Sequence, residues 1–240
     1  GFALAAGLLF AMDGARRTTK HGTRRPVFTE LRAGLRWIRT SPLVLRLMIV
    51  IGAVGMVYEI ALAQLVLYAL DHLRISESAF GVLGAVSGAG GVAGAILAPR
   101  LITRWGRRAV LTGGLFTAGL CVTGMGLTTA PVLAAVLYAA FAVPVMAVNV
   151  VSATVRHTAV PPEYLGRVLG AWRTVVFGTV PVGALVGGLL AGPAGGSAAM
   201  FVLSGVLQVV LAVVARLALR RFGRDLAPSP RDRSPAEKPG

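Results

Sequence analysis

Six apolar runs, each long enough to cross a bilayer as helix, limit what this sequence can become. A bilayer core takes about 20 residues of α-helix. Runs of that kind occupy roughly 44–70, 79–99, 109–128, 131–154, 168–191 and 197–219. In hydrocarbon every backbone N–H and C=O must find its partner inside the chain, so runs of this length span as helices. A shorter run, 1–11, has no initiator methionine, basic leader or cleavage site, and reads as the end of a truncated helix of a longer protein. The expected fold is all-α: a polytopic membrane helical bundle of six transmembrane helices plus that remnant. The expected organisation is the remnant at 1–11, a basic segment at 12–42, the bundle at 43–219 and a disordered tail at 220–240.

Composition agrees. Of 240 residues, 14% are charged and 55% hydrophobic, and mean hydropathy is +0.76. Soluble domains carry about 25% charged residues, so this chain cannot cover a globular surface. The net charge of +15 would suit nucleic acid if it formed one patch, but it does not. Eight Lys and Arg lie in 12–42, four in 100–108, three in 155–173 and seven in 216–240, while connectors 71–78, 128–131 and 192–198 hold only Arg74. Basic and non-basic connectors alternate strictly. The positive-inside rule then places the basic ones, and the C-terminus, in the cytoplasm.

Within the basic segment, "VFTELRAGLRWIR" sets Phe28, Leu31, Leu35 and Ile38 at helical spacing, with Arg32, Arg36 and Arg39 opposite. That pattern predicts an amphipathic helix on the inner leaflet, ended by Ser41-Pro42. The connectors "TTAP" and "GPAGGSA" are short enough to predict antiparallel neighbours. Gly81, Gly84, Gly88, Gly91 and Gly94 recur at three- and four-residue steps, as do Gly183, Gly187 and Gly188 after Pro181. Small residues at such steps let helix backbones approach, either for static packing or for helices that rock.

Polar groups at membrane depth need a reason, because a charge there costs about 2.5–3.5 kcal/mol. Glu59 is the clearest, beside Tyr58 and one residue beyond a turn from Gln64; Asn149 and Gln208 sit in later spans. Glu59 is either a substrate or proton site, or a protonated carboxyl bonded to a neighbouring helix. Asn149 suits interhelical bonding. Arg173 can snorkel to the interface or pair with Glu163. Cys121 reads as a small apolar residue, and His21, His72 and His157 have no spacing that makes a metal site. No nucleotide-binding motif and no nucleophile–base arrangement occurs, so neither a cofactor nor enzymatic catalysis is expected.

Six spans behind a long basic segment resemble the C-terminal half of a major facilitator superfamily transporter, across nearly the whole chain. Members carry a G-x-L-a-D-r-x-G-R-R signature, with a weaker copy between the eighth and ninth helices. "LITRWGRRAVL" is similar to that copy through Arg104, Gly106, Arg107 and Arg108, with Thr103 where an acid is preferred. "RHTAVPPEYLGRVLGAWR" resembles the tenth-to-eleventh connector of the branch containing the enterobactin exporter and macrolide-efflux-like carriers, through Arg156, Pro161, Leu165, Gly166, Arg167, Val168 and Arg173. "PVGALVGGLLAG" fits the same branch.

The resemblance implies proton-coupled export of small hydrophobic or amphipathic molecules by alternating access, in a plasma membrane. It implies as partners the lipid bilayer, protons, a small-molecule substrate and a separate N-terminal six-helix half, with no nucleic acid. Glu59, Gln64, Asn149 and Tyr58 become candidates for substrate or proton binding. Arg104, Gly106, Arg107, Arg108, Arg156, Gly166, Arg167 and Arg173 become candidates for cytoplasmic gating. A non-transporting membrane scaffold or receptor is the rival reading. A membrane-embedded enzyme is a weaker one, since no His or acid cluster marks the surface.

Overall fold

In a computed structural model, residues 27–193 and 195–220 are described, and among them every regular element is helical. The expected remnant at 1–11 and most of the tail lie outside the described residues. Helix α1 is Val27–Thr40, α2 Pro42–Leu62, α3 Glu77–Leu127, α4 Pro131–Ala159, α5 Pro162–Ala191 and α6 Ser197–Ala218. The ends follow local chemistry. Proline opens α2, α4 and α5, where a missing N–H costs nothing. The Ser76 hydroxyl accepts the Ala79 N–H ahead of α3. Gly195 and Gly196 turn the chain into α6 with φ of +96° and +95°.

Helix α3 has 51 residues, or roughly 77 Å at 1.5 Å per residue, more than twice a bilayer core. It is two spans. Gly106 interrupts it at φ 80°, ψ 156°, a backbone conformation open essentially to glycine alone. The arms 77–105 and 107–127 therefore match the second and third predicted runs, and all six runs appear as helices. The first run differs from its prediction. It is not continuous: α2 stops at Leu62, and after Ala63 and Gln64 the chain resumes as Leu65–Leu67 and a π-helical turn, Tyr68–His72.

Glycines decide which helices touch. On α5, a Cβ at Gly183 or Gly187 would collide with the Met56 or Ile60 carbonyl of α2. Gly90 and Gly94 sit likewise against the Ala139 and Val143 carbonyls of α4, and Gly119 and Gly205 join the second arm of α3 to α6. Gly81, Gly84, Gly88 and Gly188 meet nothing within 4 Å, so only part of each predicted small-residue stripe is packed inside this chain. Across "TTAP" the second arm of α3 and α4 pack closely, as expected. Across "GPAGGSA" α5 and α6 touch little, and α4 and α5 are not packed neighbours. The tight glycine contacts of α5 with α2, and of α3 with α6, draw each helix to a partner distant in sequence.

Two apolar clusters fill the bundle. One, at the end carrying the arginines (the basic end), includes Ile38, Leu47, Leu111, Val151, Trp172 and Leu219. The other, at the opposite end, includes Tyr68, Met125, Phe141 and Phe201. Outward faces carry large apolar side chains such as Ile49, Val82, Ile96, Phe177, Leu185 and Leu189. Among the described residues five helices are long and apolar enough to cross a membrane, with the two arms of α3 counted as one. The chain is a multi-pass membrane protein.

Helix α1 departs from the expected leaflet-bound helix. Its apolar side docks on the bundle: Ile38 is fully buried, and Leu31, Leu35 and Trp37 pack on the same cluster. Gly34 abuts the Arg167 carbonyl of α5. Arg32, Arg36 and Arg39 remain exposed, as the amphipathic pattern predicts. Burial against protein satisfies that pattern as well as burial in lipid.

Candidate functional site

Helix α2 carries Tyr58 and Glu59, and the residues beside it determine where each one goes. Tyr58 turns toward α4 and stacks on Phe141 with ring centroids 4.9 Å apart, and Phe141 in turn stacks on Tyr138 at 6.2 Å. Glu59, about 100° further round the helix, is half-buried in the seam with α5. A Cβ on Gly183 would sit 2.9 Å from the Glu59 Cβ. Glu59 lies near the middle of the stretch 42–72.

Two further contacts bind α2 through its own carbonyls. The Ser204 hydroxyl of α6 donates to the Val57 carbonyl at 2.7 Å, and the Thr179 hydroxyl of α5 is shared between the Val176 carbonyl of its own helix at 2.7 Å and the Gly52 carbonyl at 3.2 Å. Both polar ties are absent from the sequence-derived candidates. A hydroxyl in an apolar run is their only signal, and most such hydroxyls bond within their own helix, as Thr112, Thr117 and Thr154 do.

Gln64 does not join Glu59. The break after Leu62 carries it to the opposite end, where it is buried and its Oε1 has no partner. There it lines an open cleft of about 410 Å³ with Asp71, His72, Gly195, Gly196 and Ser197. Beside the cleft, the Tyr68 hydroxyl donates to the Met125 carbonyl, and His72 Nε2 lies 3.2 Å from the Thr128 carbonyl. The rings of Tyr68 and Phe201 are 4.3 Å apart. This latch holds the π-helical turn to the end of α3. Asn149 is exposed on α4, so it is not interhelical glue among the described residues. Gln208 is buried in α6 with an unpartnered Nε2.

At the basic end the arginines of the "LITRWGRRAVL" stretch diverge. Arg104 is exposed, Arg107 is buried, and Arg108 donates to the Arg216 carbonyl at 3.2 Å. Arg46 donates to the Ala218 carbonyl at 2.9 Å. Two cations thus satisfy carbonyls at the C-terminus of α6, where the helix dipole favours positive charge. Thr103 donates to the Arg100 carbonyl of its own helix at 2.9 Å. Arg167 pairs with Glu30 of α1 at 2.9 Å, and Trp37 stacks on Tyr164 beside it with centroids 6.3 Å apart. Gly166 is exposed with nothing near it. Arg173 and Glu163 are both exposed and form no ion pair with each other. Arg156 of α4 reaches across to α5, 4.2 Å from the Trp172 ring centroid, while its Nη1 donates to Ser152 Oγ at 2.9 Å.

No group of His, Cys, Asp and Glu among the described residues could hold a metal. The geometry is that of helices joined by few polar ties at each end, with one carboxyl, Glu59, half-buried between α2 and α5. Against models of known families, residues 47–240 match the Major Facilitator Superfamily. A search of curated proteins returned no match.

Proposed function

The chain belongs to the Major Facilitator Superfamily, a family of membrane transporters and not of enzymes, and on that footing we propose that it forms one wall of a proton-driven exporter of small hydrophobic or amphipathic molecules. The other wall is a second six-helix half, and access to a mid-membrane site alternates as the halves rock. The basic end faces the cytoplasm of a plasma-membrane protein, as the distribution of arginines favours. The resemblance of residues 156–191 to the enterobactin and macrolide-efflux branch supports the direction and cargo class.

One observation carries the reading most: Glu59, a carboxyl near the middle of the stretch 42–72, is half-buried where α2 meets the glycine face of α5. A carboxyl is neutral when desolvated and ionised when water reaches it, so alternating access would load and unload its proton. The test is Glu59→Gln in the intact transporter, reconstituted in proteoliposomes under a proton gradient. The variant folds normally and loses proton-driven efflux or its pH dependence. Transport with an unchanged pH profile would remove Glu59 from the coupling mechanism.

A further inference from the structure

The arginines of the basic end differ in how their charge is compensated. Arg46 and Arg108 donate to carbonyls at the end of α6, and Arg167 has Glu30. Arg156 has none of these. Its partners are neutral: one hydroxyl, Ser152 Oγ, and the face of Trp172. Its Nε is buried with no acceptor, and Arg173 bears on it as a like charge from α5. A guanidinium drawn out of water is normally paired or fully hydrogen-bonded. A cation–π contact contributes about 0.5–2 kcal/mol and the C-terminal dipole of α4 about 0.3–1 kcal/mol. Neither uses its remaining N–H donors.

Position completes the argument. Helices α4 and α5 make few close backbone approaches, and the Arg156–Trp172 contact is a side-chain link between them. Arg156 lies in the last turn of α4, at the end of a helix long and apolar enough to cross a membrane. Trp172 underneath fixes the guanidinium plane, and Arg173 brings a second fork of donors from the other helix. Two arginines approaching from two helices suit a tetrahedral oxyanion better than any neutral group.

The geometry points to a phosphate-binding site between Arg156 of α4 and Arg173 of α5 at the basic end of the bundle. The phosphate is that of an anionic lipid headgroup or of a soluble anion. This inference does not depend on proton coupling or on the direction of transport.

The full chain is placed in nanodiscs of phosphatidylcholine alone or mixed with phosphatidylglycerol, and thermal unfolding is followed with and without inorganic phosphate. Native protein is stabilised by phosphatidylglycerol if lipid is the source, and by inorganic phosphate in phosphatidylcholine discs if the anion is soluble. Arg156→Gln weakens the response about tenfold or more, the size expected for charge-assisted hydrogen bonds. Arg173→Gln, at an exposed position that leaves packing intact, weakens it severalfold. Arg39→Gln removes the same charge from α1 and keeps the full response. The proposal is overturned if native protein responds to neither anion, or if Arg173→Gln responds as fully as Arg39→Gln.

Discussion

The two ends of this bundle are closed by different chemistry. At the basic end, α6 and α1 are tied by arginines: Arg46 and Arg108 to α6 carbonyls, and Arg167 to Glu30. At the opposite end the closure is a buried aromatic group, with fully buried Tyr68 between His72 and Phe201 and its hydroxyl on the Met125 carbonyl. Charged ties near water are worth about 0–1 kcal/mol and are screened by salt. A buried ring takes both packing and a buried hydrogen bond with it when it leaves. Opening the basic end therefore costs less per contact than opening the other.

The largest expected effect tests the aromatic end. Tyr68→Ala should lower stability by about 3–5 kcal/mol, as large aromatic truncations do. Tyr68→Phe removes only the hydroxyl; the Met125 carbonyl still accepts from the Thr128 N–H, so the change should cost about 0.5–1.5 kcal/mol, the worth of one hydrogen bond. Denaturant unfolding in detergent measures both. If Tyr68→Ala costs no more than loss of one exposed arginine tie, the contrast between the ends is wrong.

Next in size is the glycine contact that supports the same end. Gly187→Ala would push a methyl into the Ile60 carbonyl and should destabilise by about 1–3 kcal/mol, the usual range for overpacking. Gly84→Ala meets nothing in this chain and should be neutral, or gain up to about 1 kcal/mol of helix propensity. Both glycines look alike in sequence. Equal effects would mean that the α2–α5 seam is looser than its backbone approach implies.

These glycines also show how far the sequence could be read. Run length and the alternation of arginines were enough for six helices, because bilayer thickness sets helix length directly. The break between the arms of α3 was readable too, since "RWGRR" combines glycine with a charge cluster. Packing partners were not: Gly84 and Gly187 repeat at the same spacing, and only the tertiary arrangement decides which one meets a carbonyl. The interruption at Ala63–Gln64 was hidden as well, because "ALAQLVLYAL" consists largely of good helix formers. That break separated Gln64 from Glu59, which helical spacing had placed on nearly one face. Of the candidate site, the position of Glu59 along its apolar run was legible and its neighbours were not.

The smallest expected effect belongs to the basic end and identifies its chemistry most cleanly. Glu30 and Arg167 are each about one-third exposed, with side-chain accessibilities of 39% and 33%, so their attraction is partly screened. Glu30→Gln removes one charge and keeps a similar shape, leaving Gly34 on the Arg167 carbonyl and the Trp37–Tyr164 stack in place. The loss should be about 0.2–1 kcal/mol, read as at most a fivefold rise in amide exchange across residues 31–40 of α1. Salt supplies the sharper comparison. Raising ionic strength to about 1 M shortens the Debye length to about 3 Å, so native α1 should then exchange at the rate of the variant. The variant itself should respond far less, and the amides around Tyr68 should not respond at all. If salt instead left native α1 unchanged, apolar docking would hold it unaided, and the two ends would share one chemistry after all.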